Sequence, residues 1–167
     1  MNRILISAAA SLALFLTLGH TTSAQDAASQ LVGVWKVVDI SVKEVESGRI
    51  HKPYGEKPTG YFIYTRGGRF SFTVVSENRK KPAGTNLTDA ERVELFKTMS
   101  FGTGTYKVEG NKVVYQYDSS WHHAWAGVER TTQLPALSGT RMVNTSAPLK
   151  TTTGVDAISI QTFERVE

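Results

Sequence analysis

Cysteine is missing from all 167 residues. That excludes disulfides, thiolate metal sites, cysteine nucleophiles and cysteine-linked lipid anchors. Thiolate-ligated haem and iron–sulfur clusters are excluded with them. Charge of one sign is also scarce: 19 Lys and Arg against 15 Asp and Glu leave +4. Nucleic-acid binders concentrate basic residues on one face. The densest basic run here is Arg79-Lys80-Lys81, inside a Pro/Gly loop, so no nucleic-acid partner is expected. A phosphate-cradling glycine loop is absent, because no helix follows Gly102-x-Gly104. So is the Gly-x-Ser-x-Gly turn that presents a serine nucleophile. Neither His-x-His nor His-Glu-x-x-His occurs. A zinc site would need His51, one of the adjacent His122 and His123, and a carboxylate. Neither a metal nor a cofactor is expected.

One long hydrophobic run exists, and it comes first. After the basic start Met1-Asn2-Arg3, Ile4 to Gly19 carries no charge, and Thr22-Ser23-Ala24 supplies small residues for a peptidase. This is the plan of a secretory signal peptide, residues 1–24, with the domain at 25–167. The run is shorter than the roughly 20 residues a membrane helix needs. A retained anchor is the other reading. Cleavage predicts an exported chain, periplasmic or secreted, with no integral membrane segment. Asn86-Leu87-Thr88 and Asn144-Thr145-Ser146 match the glycosylation triplet, which matters only in a eukaryotic source.

The rest of the chain reads as short strands around one helix. Leu31–Val42 is rich in Val and Ile; as a strand it puts Trp35, Val37, Asp39 and Ser41 on one face. Two β-rich runs flank Gly67-Gly68 within Gly60–Val75, predicting a hairpin. A turn centred there pairs Thr65 with Phe70, Ile63 with Phe72 and Tyr61 with Val74, and that more apolar face is sent inward. Thr88-Asp89-Ala90-Glu91 has capping-box spacing. Ala90, Val93, Phe96 and Met99 then share one face of a helix from Asp89 to about Met99. A second hairpin, Gly104–Tyr117, turns at Gly110-Asn111. It opposes Glu109 and Lys112 as a charge pair, and places Tyr106, Val108, Val113, Tyr115 and Tyr117 on one face. Strands follow at Val128–Leu134, Arg141–Ser146 and Ala157–Val166. The number and spacing of these elements predict an all-β antiparallel barrel or sandwich.

Gly33-Val34-Trp35 at the first strand resembles the Gly-x-Trp signature of the lipocalins. A longer pattern is similar to the bacterial lipocalin-like domain family. It runs from Leu31-Val32-Gly33-Val34-Trp35 through Pro53-Tyr54-Gly55 to Pro58-x-Gly60-Tyr61-Phe62-Ile63-Tyr64-Thr65. Gly102-x-Gly104-x-Tyr106-x-Val108, Trp125-x-Gly127 and Glu164-Arg165-Val166 continue it. The resemblance implies an up-and-down lipocalin-like barrel with one short helix and a central cavity. It also implies a closed end built by Gly33, Trp35 and Arg165, the arginine covering the indole. Trp121–Ala124 and Gly139–Asp156 depart from the family pattern.

The expected partner is a small apolar or amphipathic ligand, bound by a monomer. Its wall is expected to include Tyr61, Ile63, Phe70, Phe72 and Tyr106, with Tyr115, Tyr117, His122 and Trp125. Buried phenols need partners, which a ligand could supply; a barrel filled by its own side chains is the alternative. The second functional reading is an enzyme in the same cavity, such as a cyclase, isomerase or hydratase. Its acid–base candidates are Asp39, His122 and His123. A protein-binding module using the Arg79–Lys81 loop ranks third.

Overall fold

The computed structural model describes residues 24–151 and 154–167. The expected leader falls almost wholly outside these residues. The elements run α1 (Ala24–Leu31), β1 (Gly33–Glu44), β2 (Ile50–His51), β3 (Thr59–Tyr64), β4 (Arg69–Val75) and α2 (Asp89–Lys97). Then come β5 (Met99–Glu109), β6 (Lys112–Ser120), β7 (Glu129–Gln133), β8 (Ala136–Ser138), β9 (Arg141–Thr145), β10 (Leu149–Lys150) and β11 (Asp156–Arg165). A short 3-10 turn, His123–Trp125, links β6 to β7.

All strands join one antiparallel sheet, ordered β7-β6-β5-β4-β3-β1-β11-β9-β8, with β2 and β10 added to β1 and β11. Chain neighbours are sheet neighbours, and the last long strand returns to the first. The sheet therefore curls into an up-and-down half-barrel. β7 approaches β9, yet no ladder pairing joins them among the described residues, which leaves a seam. This is the expected all-β architecture, with two helices rather than one. Leu31, read from sequence as strand, ends α1 instead.

The second hairpin forms as expected. Val108 opposes Val113 and Tyr106 opposes Tyr115, around Gly110 at φ +60°. Glu109 does oppose Lys112, but its carboxylate pairs with Lys107 at 2.7 Å. The first hairpin differs by one register step. Tyr64 opposes Phe70 and Phe62 opposes Phe72, because Thr65 N–H donates to Arg69 O across a turn of three residues, Arg66 to Gly68, in which Gly68 takes φ +72°. The face of β4 is as expected, with Phe70, Phe72 and Val74 buried. The face of β3 is reversed: Phe62 and Tyr64 point inward, while Tyr61 and Ile63 are exposed.

A bulge corrects β1. Val37 opposes Phe163 and Asp39 opposes Thr162, so Val38 is the extra residue. The inward series becomes Trp35 and Val37, then Ile40. Asp39 leaves the interior face and pairs with Lys52 at 3.0 Å. In α2 the capping box is present, Thr88 accepting from Glu91 N–H and Glu91 accepting from Thr88 N–H at 2.8 Å. Its expected apolar face is not buried: Val93 and Phe96 are about half exposed. Leu95 and Met99 are the partly covered residues on that side.

Gly33, Trp35 and Arg165 meet at one end of the barrel, its floor. Trp35 is fully buried, and its indole N–H donates to Leu31 O at 2.8 Å. The Arg165 guanidinium sits 4.1 Å from the indole centroid. It also donates to Val32 O and Gln30 O, each at 2.6 Å. Gly33 has φ +140°, and a Cβ there would strike Glu167 O and the Arg165 guanidinium. Leu31, Met142 and Phe163 complete this buried layer.

Candidate functional site

Above the floor the barrel keeps a cavity of about 320 Å³. Its apolar wall includes Ile40, Val42, Phe62, Phe70, Phe72 and Val74. The rings interlock: Phe62 stacks on Phe72 at 4.7 Å, and Phe70 meets Tyr115 and Tyr117 edge-on at 5.0 Å. Gly102 and Gly104 on β5 make this possible. A Cβ at Gly102 would overlap the Phe72 and Tyr117 rings, and one at Gly104 would strike Gln116 O.

Of the expected ligand-binding residues, Phe70, Phe72, Tyr115, Tyr117 and Trp125 line the cavity. Tyr106 is buried near the floor and donates to Thr65 O at 3.0 Å. Tyr61 and Ile63 face outward, as the hairpin register dictates. His122 is exposed and stacks on Trp125 at 5.8 Å, outside the wall. His123 is exposed in the 3-10 turn. With Asp39 bound to Lys52, none of the three acid–base candidates reaches the cavity. Among the described residues its wall holds no carboxylate and no imidazole. His51 and the histidine pair are not drawn into a metal-ligating group among the described residues either.

Two of the buried phenols satisfy each other. Tyr64 and Tyr115 oxygens lie 2.9 Å apart in the buried interior. Burial pushes the Tyr115 phenol up to about 12, against the pull of hydrogen bonds to Tyr64 and Thr132. Burial raises Tyr64 well above its ordinary value. It raises Tyr117 too, with the nearby Arg130 charge acting in the opposite sense. Tyr54, at the mouth, hydrogen-bonds Ser100 and is likewise raised by burial.

The polar groups that remain are ones the sequence reading passed over. Arg130 and Thr132 on β7, Asn144 on β9 and Gln161 on β11 all line the cavity. The signal was present: Arg130 and Thr132 alternate on one face of β7, and Met142 and Asn144 on one face of β9. Arg130 lies 4.5 Å from the Trp125 centroid. Asn144 is buried, which also places its glycosylation triplet out of reach. An aromatic path leads away from the mouth. Trp125 touches His122, His122 touches Trp121, and Trp121 stacks on Phe96 of α2 at 4.7 Å. The Trp121 indole N–H fixes that contact by donating to Phe96 O at 2.8 Å. The basic loop of the third reading is partly committed as well, since Arg79 turns in and donates to Leu95 O at 3.1 Å.

The family model for a lipocalin-like domain fits residues 32–165. No curated protein matches the chain.

Proposed function

The chain belongs to the lipocalin-like domain family, and from that premise we propose that it is an exported, monomeric carrier of a small hydrophobic or amphipathic molecule. The observation that carries this reading is the cavity of about 320 Å³, walled by Phe62, Phe70, Phe72 and Tyr117. That volume falls at the small end of ligand pockets, roughly 300–1,000 Å³, which are mostly apolar with a few placed polar groups. Export is supported by the basic start, apolar run and small-residue site of residues 1–24.

Mass spectrometry of protein recovered from its own host tests the reading. A native spectrum should show a monomer with a small molecule at near-equal stoichiometry, released on denaturation. The chain mass should correspond to a start at Gln25. Titration with the neutral fluorophore N-phenylnaphthylamine supplies the second measurement, with saturable micromolar binding expected. An empty native protein that also fails to bind the fluorophore would overturn carriage.

A further inference from the structure

The cavity is apolar over most of its wall, but its polar features are specific. Arg130 is the one charged residue among those that line it. Among the described residues no carboxylate forms an ion pair with it. A guanidinium over an indole keeps its donors free for an anion, because the ring contact uses the face of the plane.

Asn144 is the second feature. It is 7% exposed, and its Oδ1 has no hydrogen-bond partner. A relay fixes its orientation: Gln161 Nε2 donates to Ser159 Oγ at 3.4 Å, and Asn144 Nδ2 donates to Gln161 Oε1 at 3.5 Å. The donor end of the Asn144 amide is thereby engaged, and the acceptor end is left. A buried acceptor without a partner is costly, so its retention on a cavity wall points to an incoming donor.

We propose that the cavity takes an amphipathic hydroxy acid, its carboxylate held by Arg130 and its hydroxyl donating to Asn144 Oδ1. This rests on the carrier reading above and names the chemical class carried. A monoanion is favoured over a phosphate ester, because one cation serves the wall and a dianion would keep an uncompensated buried charge. The apolar rings of β3 and β4 receive the hydrocarbon body. Arg130 and Asn144 stand on β7 and β9, so the ligand's polar groups lie along the seam of the barrel.

Isothermal titration with decanoate, methyl decanoate and decanoates hydroxylated at either end of the chain tests this. Decanoate should bind about tenfold or more tighter than its ester, the scale of one charge-assisted hydrogen bond. Arg130→Gln should erase that preference by weakening the acid alone, and Arg130→Lys should restore part of it. One of the hydroxy acids should bind tighter than decanoate, and in Asn144→Leu that gain should vanish, the hydroxy acid binding no tighter than decanoate does in the same variant. Unchanged urea midpoints in the variants confirm that folding is intact. Equal binding of acid and ester, or equal weakening of both by Arg130→Gln, would overturn the proposal. So would fluorophore binding without binding of any decanoate; carriage would then stand and the ligand class would fall. Failure of the fluorophore as well would remove the carrier reading itself.

Discussion

Two buried hydroxyls show how single residues set the chemistry of this interior. Tyr64 and Tyr115 approach from β3 and β6 and meet oxygen to oxygen at 2.9 Å. Each keeps its proton because burial disfavours the phenolate. The sign of the pH effect follows. Below an ordinary tyrosine value near 10, the phenols are neutral in both the folded and the unfolded chain, and their contribution is fully present. Between there and about 12 the unfolded chain loses the proton while Tyr115 keeps it. Stability therefore falls as pH rises through that interval, by up to roughly 1.4 kcal/mol per pH unit for each such phenol. Tyr115→Phe should cost about 1 kcal/mol at neutral pH, since Tyr64 loses its partner. It should also make the alkaline decline shallower. Urea midpoints measured from neutral pH to pH 12 check both effects, and parallel curves for the two proteins would discard the assignment. The same pair explains why tyrosines were poor guides to a ligand: a phenol's need for a partner can be met by another phenol across the barrel. The amide of Asn144, on a strand with only five residues, gave a weaker sequence signal and carries the unmet valence.

Elements meet most tightly at the floor, where α1, β1 and β11 converge on Arg165. One guanidinium covers the Trp35 ring and binds two carbonyls at the end of α1. A cation there also opposes the negative end of the helix dipole. Arg165→Ala should lower unfolding free energy by about 2 kcal/mol. Arg165→Lys should recover less than half, because a point-like ammonium cannot span both carbonyls and the ring. Urea denaturation at neutral pH measures this, and a loss within error of zero would mean the floor is held by burial of Trp35 alone. This end of the barrel was legible through the resemblance of Gly33-x-Trp35 and Arg165 to the lipocalin pattern, in which glycine, indole and guanidinium are each demanding in space or charge. The β5–β6 hairpin was legible for a similar reason: a two-residue turn led by Gly110 fixes the register. Three residues separate Thr65 from Arg69 in the β3–β4 turn, so one step of register turned Tyr61 and Ile63 out and Phe62 and Tyr64 in. Two adjacent glycines do not say which of them will take the positive φ. The bulge at Val38 was hidden as well, since it shows only in pairing with β11 and yet decides the fate of Asp39. For α2, the cap was readable from four residues, while the covering of its apolar side depended on where the sheet curled.

At the scale of the whole molecule, the barrel is closed on one side and seamed on the other. β1 and β11 pair over nine positions and bury Trp35, Val37 and Phe163 between sheet and floor. β7 pairs with β6 alone, and β9 pairs with β11 and the three-residue β8. The facing sides of β7 and β9 carry no shared ladder among the described residues. Backbone groups without a ladder partner open at lower free-energy cost than those in a core pairing. Amide hydrogen exchange should therefore be slowest in β1 and β11 and fastest, among the strands of the barrel wall, in β7, which has a ladder on one side. Arg130 and Asn144 stand on β7 and β9 and line one cavity, so the proposed ligand would contact both and stabilise only the state in which they face it. Saturating decanoate should accordingly slow exchange in β7 and β9 more than in β1 or β11. Uniform slowing would assign the effect to global stabilisation, and slowing confined to β3 and β4 would place the ligand against the aromatic wall with its polar end away from the seam. The wall strand that is weakest by pairing would then also be the one that senses occupancy by the proposed ligand.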